Sequence, residues 1–431
     1  MPLVHHPGRY RAFPAALLLA CLLTGAQAAP LASKDRVKVF EEVWSLIRDR
    51  YYDPNFHGLD WNGIHERYSE KIRKTTGDDE LYGLLKQMTG ELRDAHTRFR
   101  TPAERQRASR HVATTTGILV GNVEGVPAVV DVEPDSEADH SGIEPGMVLA
   151  SVDGQPAAER LAEIQQQAGT SSSERATALL GYYRLLDGEP GSLVRVGFTR
   201  PDGSPLAVVL KRHVVSIAPG VSSRTLPSGL VYIRIPVFDA SVAKQATAII
   251  RKNANAPGMI LDVRGNPGGS FAGVLKIANN FFSRRVSFGR VLTRSGSGPS
   301  FVLRVFGVPA QLQTGKPGGQ VFTGPLAVLI NEGSGSGAEI FAAGMQENGR
   351  AKIVGRQSCG CVLGSVAHKV KGGSEVDISE FSIITSQDKR LEGLGVIPDL
   401  AVPLTVNDLR QHRDGALQQA QRVLDAHARA N

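Results

Sequence analysis

Residues 325–341 read PLAVLINEGSGSGAEIF: an apolar run breaks into the five small residues GSGSG and resumes at once as a helical pattern. A short, unbroken apolar run bounded by turn signals fits a strand buried on both faces. A strand that passes into a helix through glycine and serine is either a tight structural turn or a place where chemistry needs exposed backbone. A second junction has the same build. GMILDVRG reads as a strand, NPGG as a loop and SFAGVLKIANNFFS as a helix.

Outward from these junctions, LVYIRIPVF reads as a further strand and SVAKQATAIIRKN and AEIFAAGMQEN as helices, so residues 216–407 alternate strand and helix. That is the pattern of an α/β sheet with crossover helices. Beyond it, residues 408–431 contain DGALQQAQRVLDAHA, which reads as a surface helix. Residues 106–215 have a different texture. GILVGNVEGVPAVVDVEP gives two β-rich runs, SGIEPGMVLASVDGQ a turn, strand and turn, and SLVRVGFTRPDGSPLAVVLKR a hairpin at Pro201-Asp202-Gly203. A helical insert near 156–186 interrupts them. Residues 29–105 are helical, with apolar spacing in VFEEVWSLIRDRYYD and LYGLLKQMTGEL. The fold class is therefore multidomain α+β: an N-terminal helical bundle, a β-rich module and an α/β core.

A chain of 431 residues is long enough for two or three domains with proper cores, and 41% hydrophobic with 21% charged residues is ordinary for a globular protein. The net charge is +7, of which Arg9 and Arg11 supply two. No compact run of Lys and Arg interleaves with aromatics, which argues against nucleic acid as a partner. Residues 1–28 have the build of an export leader: Arg9 and Arg11, then AFPAALLLACLLTG, then the small-x-small site Ala26-Gln27-Ala28. The apolar run is too short for a stable membrane span. The expected destination is the bacterial periplasm. Leu18-Leu19-Ala20-Cys21 resembles a lipoprotein cleavage box, so lipid anchoring at Cys21 is the alternative, although Leu22-Leu23 would make an apolar start for a mature lipoprotein.

Cys359 and Cys361 flank a single residue in SCGC. On a strand they would face opposite sides and an internal disulfide would be strained, so they read as two small buried residues. Neither HExxH nor CxxC occurs, and no metal site is expected. The NPGG loop lacks both a GK[ST] ending and GxGxxG spacing, which argues against a nucleotide. No cofactor is implied.

A serine at the carboxyl end of a strand, beside a helix N-terminus, is exposed, and the N–H of the next residue can stabilise an oxyanion. The stretch 331–341 is not a strict GxSxG, and both Ser334 and Ser336 are eligible. MTGELRDAHTRF (88–99) puts His96 in a polar turn, and KRLEGLGVIPD (389–399) puts Glu392 just ahead of two glycines. A serine, a histidine and an acid at the ends of elements are what base-assisted nucleophilic catalysis needs. The bland readings are a histidine that caps a helix end and a solvated turn acid. Thr97 and Arg264 are candidate supports with no role legible in sequence.

The order DAHTRF, a β-rich segment, DVRGNPGG, GSGSGAEIFAAGMQENGRAKIVGRQ and LEGLGVIPD resembles the C-terminal processing (tail-specific) serine peptidases and their tricorn relatives. TGILV and SGIEPGMVLASVDGQ are similar to a PDZ module. The resemblance implies a ClpP/crotonase-like α/β core and a serine endopeptidase that works through an acyl-enzyme on Ser336, with Ser334 as the rival. Gly337 would offer one oxyanion N–H, and Gly268 or Gly269 the second. Ser–Lys members carry a lysine in a GKG-type segment downstream; here that segment is SCGCVLGS, Cys361 stands at the lysine position and Ser365 near the partnering glutamine. Lys352 and Lys369 do not match the motif. The tricorn branch uses a histidine base and a glutamate, which match His96 and Glu392. Substrates would be proteins or peptides, held by their C-termini on Gly117, Ile118 and Leu119. Two alternatives remain: a peptide-binding protein that has lost proteolysis, and a hydrolase of non-peptide acyl groups. Oligomeric state is not legible.

Overall fold

A computed structural model describes residues 30–109, 112–168, 173–216, 220–300, 307–315 and 321–430. The expected leader, with Cys21, lies outside these residues.

The N-terminal segment folds as α1 (Ser33–Arg50), α2 (Trp61–Arg73) and α3 (Asp78–Gly90). Each buries one apolar stripe: Phe40, Val43, Trp44 and Ile47; Ile64, Tyr68 and Ile72; Leu81, Leu85 and Met88. Asp60 caps α2 by accepting the Gly63 N–H at 2.9 Å, and three acids fill the first turn of α3, where the helix dipole favours them. The core of this bundle also contains Val376 and Ile378. The bundle is thus docked on a sheet from the far end of the chain. The short strand that follows, β1 (Arg98–Arg100), pairs with that same sheet.

The β-rich module is an antiparallel sheet of β2 (Ile118–Val123), β3 (Val126–Val132), β4 (Val148–Val152), β5 (Leu193–Thr199) and β6 (Pro205–Lys211), in that order, so β2 is an edge strand. Between β4 and β5 the chain inserts α4 (Ala157–Ala168) and α5 (Glu174–Arg184). Helix α5 packs along β2 and places Tyr182 in the module's core, joined just beyond its end by Leu185 and Leu186.

From residue 222 the chain runs β7 (Ser222–Thr225), β8 (Val231–Arg234), α6 (Ala240–Lys252), β9 (Met259–Asp262), α7 (Phe271–Ala278), β10 (Val286–Thr293), β11 (Gln311–Thr314), β12 (Leu326–Ile330), α8 (Gly337–Glu347), β13 (Lys352–Gly355), β14 (Gly364–Lys369), β15 (Glu375–Ile384), β16 (Leu400–Ala401) and α9 (Gly415–Ala430). The main sheet has the order β7-β8-β9-β12-β13-β16, parallel from β8 onward. Alternation along its strands serves two cores. Met259, Leu261, Val328 and Ile330 pack with α6, α7 and α8. Ile260, Ala327 and Leu329 pack with Leu417, Ala420 and Leu424 of α9. The last helix is therefore not a surface appendage: its stripe covers the second face of the sheet. A second, antiparallel sheet runs β1-β15-β10-β11, with β14 also on β15, and carries the bundle. No described helix is long and apolar enough to cross a membrane.

Candidate active site

The two small-residue junctions leave neighbouring parallel strands, β9 and β12, at their carboxyl ends, where open α/β sheets gather ligands. They touch there. A Cβ added to Gly268, whose φ is +106°, would stand 2.6 Å from the Gly337 nitrogen and 2.7 Å from Ser336 Cβ, so only glycine fits. Ser336 sits at φ 49°, in the left-handed region, immediately before α8. Such a conformation costs on the order of 1–3 kcal/mol in a non-glycine residue and needs to be held by its surroundings.

The N–H of Ser336 donates to the Cys361 carbonyl at 2.8 Å and to Glu339 Oε2 at 3.0 Å. Ser334 has a different environment. It is fully buried, its Oγ donates to the Val263 carbonyl at 2.8 Å and accepts the Asn331 N–H at 3.1 Å. Ser334 ties the two loops together, and Ser336 is the more open of the pair. Among the described residues no acceptor engages the N–H of Gly337 or of Gly269, and a Cβ on Gly337 would lie 3.3 Å from the Gly269 nitrogen. The Gly268 N–H is already spent on Asn266 Oδ1 at 2.8 Å. Of the two glycines expected to supply a second donor, Gly269 is the one whose donor is open. A strained serine flanked by two open N–H groups is suited to bind an oxyanion.

Glu339 was not singled out by sequence as a functional residue, yet it organises this region. It is fully buried. Its Oε1 accepts from Ser358 Oγ at 2.6 Å and the Gly360 N–H at 2.7 Å, and its Oε2 accepts the N–H groups of Cys361 at 2.9 Å and Ser336 at 3.0 Å. Burial pushes the carboxyl up to about 7, against the four hydrogen bonds that favour its charge. The Ser-x-x-Glu spacing of a capping box was the available sequence signal.

Cys359 and Cys361 form a disulfide with Cα atoms 5.3 Å apart, which corrects the reading of two separate thiols. That reading assumed a strand. The segment is instead a turn, with Gly360 at φ +76° between the two cysteines. The Cys361 carbonyl accepts the Ser336 N–H. Lys352, Lys369 and Ser365 are exposed on β13 and β14. Glu392 Oε2 accepts the N–H groups of Val362 at 2.6 Å and Leu363 at 3.1 Å, which fastens the far side of the same loop.

His96 lies between α3 and β1, in a turn made by Asp94. Asp94 Oδ1 accepts the N–H of His96 at 2.7 Å, the N–H of Thr97 at 2.6 Å and Ser379 Oγ at 3.0 Å. Thr97 Oγ1 in turn accepts the Ser379 N–H at 3.0 Å, which fixes the turn on β15. His96 Nδ1, Asp94 Oδ2 and Tyr51 Oη are buried without hydrogen-bond partners among the described residues. Burial lowers the His96 pKa from its ordinary value, and the Asp94 carboxylate opposes the shift. The Tyr52 phenol is raised by burial and then by the charges of Glu392 and Asp94. No hydrogen bond joins the His96 ring to Ser336 among the described residues; in unliganded enzymes such bonds are often long and tighten around substrate. Arg264 is structural: it pairs with buried Asp262 and with Asp414 at the start of α9. Among the described residues no group of three or more His, Cys, Asp or Glu side chains is arranged to hold a metal.

The known proteins that this chain resembles agree in class. It is a serine-type peptidase. Residues 229–402 match the model of peptidase family S41, and residues 32–90 match that of the tricorn protease C1 domain. A carboxyl-terminal-processing protease of Synechocystis is 25% identical over 97% of this chain and 93% of its own length. The chloroplastic carboxyl-terminal-processing peptidase 3 of Arabidopsis thaliana is 25% identical over 83% of this chain and 67% of its own. The solved photosystem II D1 C-terminal processing protease superposes with a TM-score of 0.59 at 23% identity, covering 90% of this chain and 97% of that one, and supports the multidomain α+β fold.

Proposed function

We propose that the protein is an exported endopeptidase that cleaves protein or peptide substrates through an acyl-enzyme on Ser336. The observation that carries this reading is the left-handed Ser336 between the open N–H groups of Gly337 and Gly269. His96 takes the Ser336 proton and returns it to the leaving amine. Its depressed pKa keeps the ring neutral and ready to accept a proton at neutral pH. Asp94 stabilises the imidazolium from within its own turn. Glu392 acts on the ring directly or through an intervening hydroxyl as substrate tightens the site. The edge position of β2 supports capture of a substrate's C-terminal strand there, with Gly117, Ile118 and Leu119 at the carboxylate. The leader-like residues 1–28 support export to the periplasm.

The test is to incubate the mature protein with an unfolded protein and with peptides bearing free or amidated C-termini, then map products by mass spectrometry. Internal cleavage by wild type, lost in Ser336→Ala and weaker on amidated peptides, is the expected result. Peptide binding without cleavage would favour the non-catalytic alternative, and hydrolysis of esters alone the acyl-hydrolase alternative.

A further inference from the structure

We propose that Ser173 and Arg175, at the start of α5 in the β-rich module, are positioning residues for the loop 358–361 that anchors Ser336. The left-handed Ser336 persists only while its neighbours hold it, and one of the two acceptors of its N–H is the Cys361 carbonyl. The position of this loop is therefore the position of the serine.

Buried backbone groups need partners, and this loop finds them on two sides. Its N–H groups are satisfied from the core: Cys359 donates to the Ser334 carbonyl at 3.0 Å, and Gly360 and Cys361 donate to Glu339. Its outward carbonyls are satisfied from the module. Arg175 Nε donates to the Ser358 carbonyl at 2.8 Å, and Ser173 Oγ donates to the Cys359 carbonyl. Arg175 Nη2 reaches a second segment, donating to the Leu394 carbonyl at 2.5 Å and the Gly393 carbonyl at 3.4 Å. Those residues follow Glu392, and the Gly393 N–H donates back to Gly360 at 2.9 Å. One guanidinium thus joins the two segments that carry Cys361 and Glu392, a task for a rigid fork of donors that a lysine cannot perform in full.

Ser173 couples the contact to the helix itself. It is fully buried, and as N-cap of α5 its hydroxyl also accepts the Ala176 N–H at 3.2 Å. The helix therefore lies against the 358–361 loop and the segment that follows Glu392, while its Tyr182 is in the module's core.

Two readouts test this, and only one of them depends on the Ser336 reading. The first is the rate of fluorophosphonate labelling. The second is the rate at which a phosphine opens the Cys359–Cys361 disulfide to two thiols, followed by alkylation and intact mass. Arg175→Ala is expected to slow labelling by about tenfold or more and to speed disulfide opening several-fold, as loss of its three charge-assisted hydrogen bonds would. Arg175→Lys should lie between it and wild type, with circular dichroism unchanged. Ser173→Ala, which loses the bond to the Cys359 carbonyl and the N-cap bond to the Ala176 N–H, gives a smaller change in the same direction and serves if Arg175→Ala does not fold. Unchanged rates in both assays, or slower labelling with unaltered disulfide opening, would overturn the proposal. Faster disulfide opening in Arg175→Ala, together with a wild type that does not label, would support the loop contact while removing the Ser336 reading.

Discussion

Glu339→Gln tests whether one buried carboxylate organises the site. Each carboxylate oxygen accepts two donors, Ser358 Oγ and the Gly360 N–H on one, the Cys361 and Ser336 N–H groups on the other. A carboxamide keeps one accepting oxygen and turns an NH2 toward the other pair. If it faces Cys361 and Ser336, the Cys361 N–H loses its acceptor while the Ser336 N–H keeps the Cys361 carbonyl. If it faces Ser358 and Gly360, the hydroxyl can turn, but the Gly360 N–H is left opposed. With one buried donor left unsatisfied in either orientation, the cost is about 1–3 kcal/mol, a sizeable part of a typical stability. The pH dependence follows from the raised pKa. The folded carboxyl titrates near 7 against an ordinary 4.5, so the fold favours its protonated form. That contribution is complete below the ordinary value and lost as pH rises through 7. Wild-type stability therefore declines over this window by an amount that the glutamine variant lacks, and the cost of the substitution shrinks from pH 5 to pH 8. Urea unfolding should be followed by far-ultraviolet circular dichroism, because both tryptophans, Trp44 and Trp61, report only on the N-terminal bundle. A cost below about 0.5 kcal/mol at every pH, against the 1–3 kcal/mol expected per donor, would refute the reasoning. A cost that grows with pH would show that the four donors outweigh burial.

Three other outcomes are expected. Fluorophosphonate labelling should rise with pH with a midpoint below the ordinary histidine value, because burial depresses His96 and only the neutral ring is a base. Asp94→Asn should move that midpoint lower still, and an upward shift would exclude Asp94 as the group that holds it up. Gly268→Ala should abolish labelling and destabilise the fold by about 2 kcal/mol or more, since its methyl would strike the Gly337 nitrogen at 2.6 Å; retained labelling would mean that the two loops are not in contact. Arg264→Ala leaves Asp262, fully buried, without the partner that also reaches Asp414. It should cost about 3 kcal/mol in chemical denaturation while the folded fraction still labels, and a stable variant would contradict that role.

What could be read from sequence was whatever one element dictates by itself. PLAVLI and GMILD are apolar on both faces because helices cover both sides of the sheet, and their continuous runs say so. The stripes of α1 to α3 were equally plain. The readings that failed needed a partner distant in sequence. Helix α9 looked superficial because its stripe, at 417, 420 and 424, is sparse and nothing local reveals the sheet face awaiting it. The cysteine pair was misread because a strand was assumed where Gly360 turns the chain. Glu339 looked like an ordinary helix-start acid, since two of its four donors come from Gly360 and Cys361. His96 and Ser336 could be paired only by family resemblance. Ser334 and Ser336 could not be separated by composition, and only the hydrogen bonds of Ser334 to Val263 and Asn331 give it a structural task.

The central claim, that Ser336 is a histidine-activated nucleophile, is tested most directly by fluorophosphonate labelling of the mature protein followed by peptide mapping. Wild type and Ser334→Ala, Ser336→Ala and His96→Ala variants would be compared at matched folding. The account expects the adduct on Ser336, retained in Ser334→Ala and lost in Ser336→Ala and His96→Ala. An adduct on Ser334, or undiminished labelling without His96, would contradict it.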